Sequence, residues 1–172
     1  FHKYTVDEHS IRTIECAAEF RTREGPLGDA YRALQRKDLL HLALLLHDLG
    51  KGYPDDHSEV GKRLAEDTGR YLGLSDEDVD TLKFLVHKHL LMAHTAFRRD
   101  PYDGKVLMTF ARAVGTPAVL KKFLVLTAAD IAAVGPGVAV ALPARLAGPL
   151  RGLLDQLHAA QDVRLAGHGG WP

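Results

Sequence analysis

The run Leu39-Leu40-His41-Leu42-Ala43-Leu44-Leu45-Leu46 constrains the fold more than any other stretch of the sequence. It has no polar/apolar alternation, so it reads as a helix, from Leu39 to about Leu49 with Asp38 as its cap, that must be buried nearly all round. A helix of that kind needs other elements wrapped about it, and the rest of the chain offers helices. Thr5 with Glu8 makes a capping box and opens a helix to about Thr22, which Gly25, Pro26 and Gly28 stop. A short helix follows over about 29–36. Asp56 with Glu59 opens a helix to about Leu72, and Ser75 with Asp78 opens one reaching about Phe97. Another runs from about Asp103 to Val114. Thr116-Pro117 starts a long helix through about Val134, with proline at the first helical position. A last amphipathic helix is expected over about 142–160. No strand pattern competes, and the chain has 172 residues, so the reading is an all-α bundle of about seven to eight helices around one core.

Composition excludes several classes of function. Lys+Arg and Asp+Glu both number 22, so the formal net charge is zero and no broad field recruits nucleic acid or an anionic membrane. A phosphate-bearing substrate would have to be drawn by local groups or bound cations. The longest apolar run is too short to span a bilayer. Cys16 is the one cysteine, which rules out an internal disulfide and fits a reducing, cytoplasmic setting in which it is a buried structural thiol. The chain opens on Phe1 with motif residues following at once, and reads as a piece cut from a longer protein.

The chemistry-bearing residues fall on the inward faces. His9 lies on the stripe Val6, His9, Thr13, Cys16/Ala17, Phe20. His47 and Asp48 close the apolar run. An anion there is costly in two ways: buried charge must be paired or bind a metal, and a helix C-terminus disfavours negative charge. A cation answers both. Asp130 repeats the anomaly in Phe123-Leu124-Val125-Leu126-Thr127-Ala128-Ala129-Asp130-Ile131. His89 shares the apolar side of its helix with Leu82, Leu85, Val86, Ala93 and Ala96, and His57 follows the turn 50–56, which can bring it back beside the pair. Each alone has an ordinary explanation, as a core histidine on a backbone carbonyl or an aspartate in a salt bridge. Together they supply a mixed nitrogen and oxygen donor set suited to iron, manganese or zinc, or to magnesium where oxygen dominates.

The order His9, His47-Asp48, Asp130 resembles the H…HD…D signature of the HD phosphohydrolase superfamily. Five stretches extend the likeness: the opening Phe-His-Lys-Tyr-Thr-Val-Asp-Glu-His-Ser, His-Asp-Leu-Gly-Lys-Gly at 47–52, Asp-His-Ser-Glu-Val-Gly at 56–61, His-Leu-Leu-Met-Ala…Arg-Arg-Asp at 89–100 and Leu-Thr-Ala-Ala-Asp-Ile at 126–131. These resemble the HD domain of bifunctional PII uridylyltransferase/uridylyl-removing enzymes. The resemblance implies an HD-domain helical bundle over 1–137; beyond it, the residue pattern reads as a C-terminal helical extension of the same domain over 138–166 and a disordered tail over 167–172. It implies metal ligands at His9, His47, Asp48 and Asp130, with His57 and His89 as the further ligands of a two-ion site. One departure stands out: where the family often shows a His-His pair before Leu-Leu-Met, this chain has Lys88-His89, with His87 displaced. His87 and His89, two positions apart on one helix, would face opposite sides, and His89 is taken as the inward one.

The activity implied is metal-dependent phosphodiester hydrolysis, removing UMP from a uridylylated PII-type regulatory protein. Two divalent ions (manganese, iron or magnesium, with zinc a further candidate) would generate a nucleophile from water and clamp the phosphate, with Asp48 between them. Lys51, on its Gly-Lys-Gly turn, would neutralise or protonate the leaving oxygen. Arg98 and Arg99 would grip phosphate oxygens by bidentate contacts. His41 and His94 are read as structural. Relatives of this type carry a nucleotidyltransferase domain upstream and small-molecule sensor domains downstream. Two further readings stay open: a stand-alone HD phosphohydrolase acting on a free nucleotide or dinucleoside polyphosphate, and a non-catalytic, nucleotide-sensing HD module.

Overall fold

A computed structural model describes residues 4–100, 103–134 and 152–153, with Arg98 described in its backbone alone. Among them run eight α-helices and no strand: α1 (Val6–Glu19), α2 (Pro26–Arg32), α3 (Lys37–Leu46), α4 (His57–Tyr71), α5 (Asp76–His87), α6 (Leu91–Arg98), α7 (Gly104–Val114) and α8 (Pro117–Val134), with a 3-10 turn over Phe20–Thr22 after α1. The all-α expectation holds. The expected helix over 142–160 and the tail 167–172 lie outside the described residues, apart from the helical pair Gly152-Leu153, of which Leu153 is buried.

α3 is the central rod. It packs against α1, α5, α8 and α4, and α1 also lies along α8. Leu39, Leu40, Ala43 and Leu44 are buried at 0–2% exposure. Each leucine so placed contributes roughly 1.5–3 kcal/mol of burial free energy. The expectation of burial on every side is too strong, however, because Leu45 is 43% exposed and Leu42 only half-buried. Phe123 of α8 anchors the other flank. Its ring meets Phe84 edge-on at 5.3 Å and stacks on Phe110 at 6.0 Å, both favoured aromatic geometries.

The caps show where local signals decide. The Asp56 carboxylate accepts from the Ser58 and Glu59 amides, Ser75 Oγ accepts from the Asp78 amide, and Asp103 accepts from the Lys105 amide. These satisfy amides that the first turn of a helix leaves without a partner. Other signals are overridden. Thr5 occupies the N-cap of α1 but makes no side-chain cap bond; its hydroxyl instead bonds Asp7, holding that carboxyl below its ordinary range. Asp38 does not cap α3. The cap is Arg36, in the left-handed region with φ 53°, and Asp38 is drawn away by an ion pair to the Arg36 guanidinium at 3.0 Å. Pro26, read as a stop, is the first residue of α2, the position where a missing N–H has no consequence.

The largest departure is in α5. The sequence suggests one helix from Ser75 to Phe97, but the chain turns at Lys88–Leu90 and restarts as α6. Lys88 has φ −105° and ψ 15°, outside the helical well. His89 therefore sits on a turn and not on a helix face, and is still 2% exposed.

Candidate metal centre

Four histidines and two aspartates from α1, the turn after α3, the start of α4, the α5–α6 turn and α8 converge on one place. α1 lies along α8, and His9 Nε2 donates to Asp130 Oδ1 at 2.9 Å. His47 ends the central rod, with its ring 5.4 Å from that of His9 and 5.4 Å from that of His89. The His89 ring in turn lies 5.8 Å from His57. Asp48 is the common neighbour: Oδ2 stands 3.6 Å from His47 Nε2 and 3.8 Å from His9 Nε2, while Oδ1 stands 3.6 Å from His89 Nε2.

Backbone carbonyls fix which ring nitrogen faces inward. His47 Nδ1–H donates to the Leu44 carbonyl at 2.7 Å, and His89 Nδ1–H to the Val86 carbonyl at 2.7 Å. Both rings thus present Nε2 to the centre, the tautomer control usual for metal-ligating histidine. No residue type marks these two carbonyls in advance; each belongs to the residue three before its histidine, at the end of a helix where carbonyls lack intrahelical partners.

The fit to a cation rests on atoms left without partners. His47 Nε2 and Asp48 Oδ1 are buried and make no hydrogen bond, although a buried polar group without one costs about 1–3 kcal/mol. His9, His47 and Asp48 can each offer one donor atom with all of them within 4.8 Å of one another. Asp130 adds an oxygen 3.5 Å from His47 Nε2.

Electrostatics point the same way. Burial works against charge on His47, but the Asp130 and Asp48 carboxylates outweigh it and hold its pKa above the ordinary imidazole value. Burial would raise the Asp130 pKa, yet contacts to His47 and His9 more than reverse this, leaving it below the usual carboxylate range. His89 has its pKa lowered, first by burial. The carboxylates thus favour positive charge at the spot where the lone pairs meet, whether a proton or a metal ion supplies it.

Lys51 answers part of that demand. The turn bonds its amide to the Asp48 carbonyl at 2.9 Å, and its Nζ donates to Asp48 Oδ2 at 2.5 Å. The expected His87/His89 division holds with a different cause: His89 faces the centre from the turn, and His87, the last residue of α5, pairs with Glu59 Oε1 at 2.8 Å. Arg99 is exposed at the end of α6 and makes no ion pair with the centre among the described residues; the Arg98 side chain lies outside them. His94 is exposed, and His41 meets the Tyr31 hydroxyl at 3.3 Å. Cys16 is half-buried, and burial raises its thiol pKa, which fits an inert thiol.

Lys51→Met is expected to leave divalent-metal affinity within a few-fold of the parent, because it removes no donor. It should lower phosphodiester turnover about 100-fold if Lys51 serves the leaving oxygen. Calorimetric metal titration alongside steady-state kinetics separates the two effects.

Two curated relatives share this stretch of sequence. The chain is 44% identical over 141 residues to the bifunctional uridylyltransferase/uridylyl-removing enzyme of Ruegeria pomeroyi, covering 79% of this chain and 16% of that protein. It is 39% identical over 143 residues to the enzyme of the same name from Zymomonas mobilis, covering 80% of this chain and 15% of that protein. The chain therefore spans about one sixth of the length of these relatives. The family model described as HD domain matches residues 6–130, from the first residue of α1 to Asp130 near the end of α8, and on that match the chain belongs to the HD domain family.

Proposed function

We propose that this chain carries metal-dependent phosphodiester hydrolysis of the uridylyl-removing kind, releasing UMP from a uridylylated PII-type regulatory protein. The observation that carries the hydrolytic reading is the pair of unpartnered buried atoms, His47 Nε2 and Asp48 Oδ1, set among three further imidazoles and a second carboxylate. The substrate is supported by similarity to two enzymes named for removing uridylyl groups. On the same similarity, flanking nucleotidyltransferase and small-molecule sensor domains and a cytoplasmic setting belong to this proposal. No helix among the described residues is long and apolar enough to cross a membrane. In this reading residues 1–137 are the HD domain and 138–166 its extension.

The proposed ligands are His9, His47, Asp48 and Asp130, and His57 and His89 are the residues that would hold a second ion. Divalent cations there would supply Lewis acidity toward phosphate and lower the pKa of water toward neutrality. The chain's own residues do the rest. The Leu44 and Val86 carbonyls hold His47 and His89 in one tautomer, so no reorganisation is needed when a ligand arrives. Burial keeps bulk water from screening the charges. Lys51 Nζ reaches Asp48 from a side chain about one-third exposed, and in this reading it meets the leaving oxygen and gives it a proton. Arg98 and Arg99 are proposed to hold phosphate oxygens once substrate is bound.

The test is manganese-dependent release of UMP from uridylylated regulator, compared with hydrolysis of a simple aryl phosphodiester. We expect both to be cleaved, with kcat/KM for the regulator at least about 100-fold higher, a differential of roughly 3 kcal/mol. Cleavage of free nucleotides with no release from the regulator would favour a stand-alone phosphohydrolase instead.

A further inference from the structure

We infer that the turn at 49–53 forms a nucleobase subsite, with the Tyr53 ring as the stacking surface beside Lys51; the inference rests on the phosphodiesterase reading above and names how its nucleotide is held. The turn is fixed at both ends by the centre, since Asp48 precedes it and His57 follows. It is also pressed against α4. A Cβ at Gly50 would come within 2.0 Å of the His57 carbonyl oxygen and 3.0 Å of the Gly61 amide nitrogen, so backbone lies directly on backbone. The turn then closes on itself through the Tyr53 amide to the Gly50 carbonyl at 3.4 Å. Gly52 takes φ 96°, a conformation natural to glycine, and Pro54 biases Tyr53 to extended backbone. The ring is presented by a stiff segment.

That ring is unused by the fold. Tyr53 is 58% exposed, and among the described residues its side chain makes no hydrogen bond, ring contact or cation–π pair. Tyr31, by contrast, stacks on His41. Lone exposed apolar residues are common and need no explanation, and Tyr71, 90% exposed, is one. It ends α4 at the far side from His57, about 21 Å along the helix axis, and has no bearing on the centre. Tyr53 differs by its place. Its Cα is two residues from that of Lys51, whose ammonium touches Asp48, a backbone span of at most about 7 Å, so the ring and the ammonium leave the same short turn. Leu49, 37% exposed, stands on the other side of Lys51 in the same turn. A cation flanked by exposed apolar surface matches a phosphate with a flat base attached. Stacking accepts any base, so the subsite holds nucleotides as a class without selecting uracil.

The test uses the manganese-loaded protein and its Tyr53→Ala and Tyr53→Phe variants. The substrates are the p-nitrophenyl ester of thymidine 5′-monophosphate and methyl p-nitrophenyl phosphate, which lacks a base. Calorimetric titration with UMP runs in parallel. Tyr53→Ala is expected to raise KM for the nucleotide ester and the UMP Kd about 10-fold, within the range that base–aromatic stacking supports, and by several-fold more than any change in KM for the methyl ester. Tyr53→Phe should restore both. Equal effects of Tyr53→Ala on the two esters, or an unchanged UMP Kd, would overturn the subsite. So would a KM effect seen with uridylylated regulator and absent with the nucleotide ester, which would assign the ring to the protein partner. If the parent hydrolyses neither ester in manganese, the phosphodiesterase reading fails on that result, while the UMP titration still decides the stacking.

Discussion

Asp48→Ala is expected to eliminate tight divalent-metal binding and to lower phosphodiester hydrolysis by more than about 100-fold, beyond the range that loss of a residue merely supporting a ligand produces. Asp48 is within 4 Å of three imidazole nitrogens and holds the Lys51 ammonium, so its loss disconnects both halves of the centre at once. The helices should survive. Asp48 follows the last turn of α3 and lies outside the apolar core, and a released Lys51, already about one-third exposed, can turn to water. Far-UV circular dichroism and a metal titration on the same preparation check both halves. Retained turnover in this variant would remove Asp48 from the mechanism.

Gly50→Ala has the second-largest expected effect, and it acts on fold and site together. The added methyl would sit 2.0 Å from the His57 carbonyl oxygen, and backbone cannot rotate aside as a side chain can. Overpacking of this kind costs about 1–3 kcal/mol, and the upper end is expected here. For a chain of this size that lowers Tm by roughly 6–12 °C. Because the turn carries Asp48 at one end and His57 at the other, metal affinity should fall as well. Thermal unfolding with and without manganese measures both: the manganese-induced rise in Tm should shrink in the variant. An unchanged Tm and an unchanged metal response would show that the turn does not need this close approach.

What could be read from the sequence was set by which signals are local. The caps at Asp56 and Ser75 are decided within three residues and came out as expected, and Asp103, expected only as the start of a helix, caps it by the same local rule. Asp38 failed as a cap because Arg36, just before α3, takes its carboxylate, and Asp78 from α5 joins the same guanidinium; the α5 contact is long-range. The break after His87 was hidden for a similar reason. Leu82, Leu85, Val86 and Met92 keep an apolar pattern across the turn, and what ends α5 is the conformation of Lys88 rather than any glycine or proline. His9, His47, Asp48, His89 and Asp130 stood out because charge and imidazole at apolar positions are conspicuous, and His57 because the turn before it can fold back beside the pair. The Leu44 and Val86 carbonyls that orient His47 and His89 did not, since every residue has a carbonyl.

The carboxylates and imidazoles meeting at Asp48 are proposed to form a divalent-cation site. Proton and metal compete for His47, whose pKa is held up by the neighbouring Asp130 and Asp48 carboxylates against the effect of burial. Affinity should therefore weaken as pH falls through that raised value, from a higher pH than free imidazole would require. The most direct measurement is a manganese titration of chelator-treated protein across pH, read as equivalents bound per chain. One to two equivalents are expected at neutral pH, diminishing as the solution is acidified; less than one equivalent at every pH, with no hydrolysis in manganese, would mean that Asp48 and its neighbours hold no divalent cation.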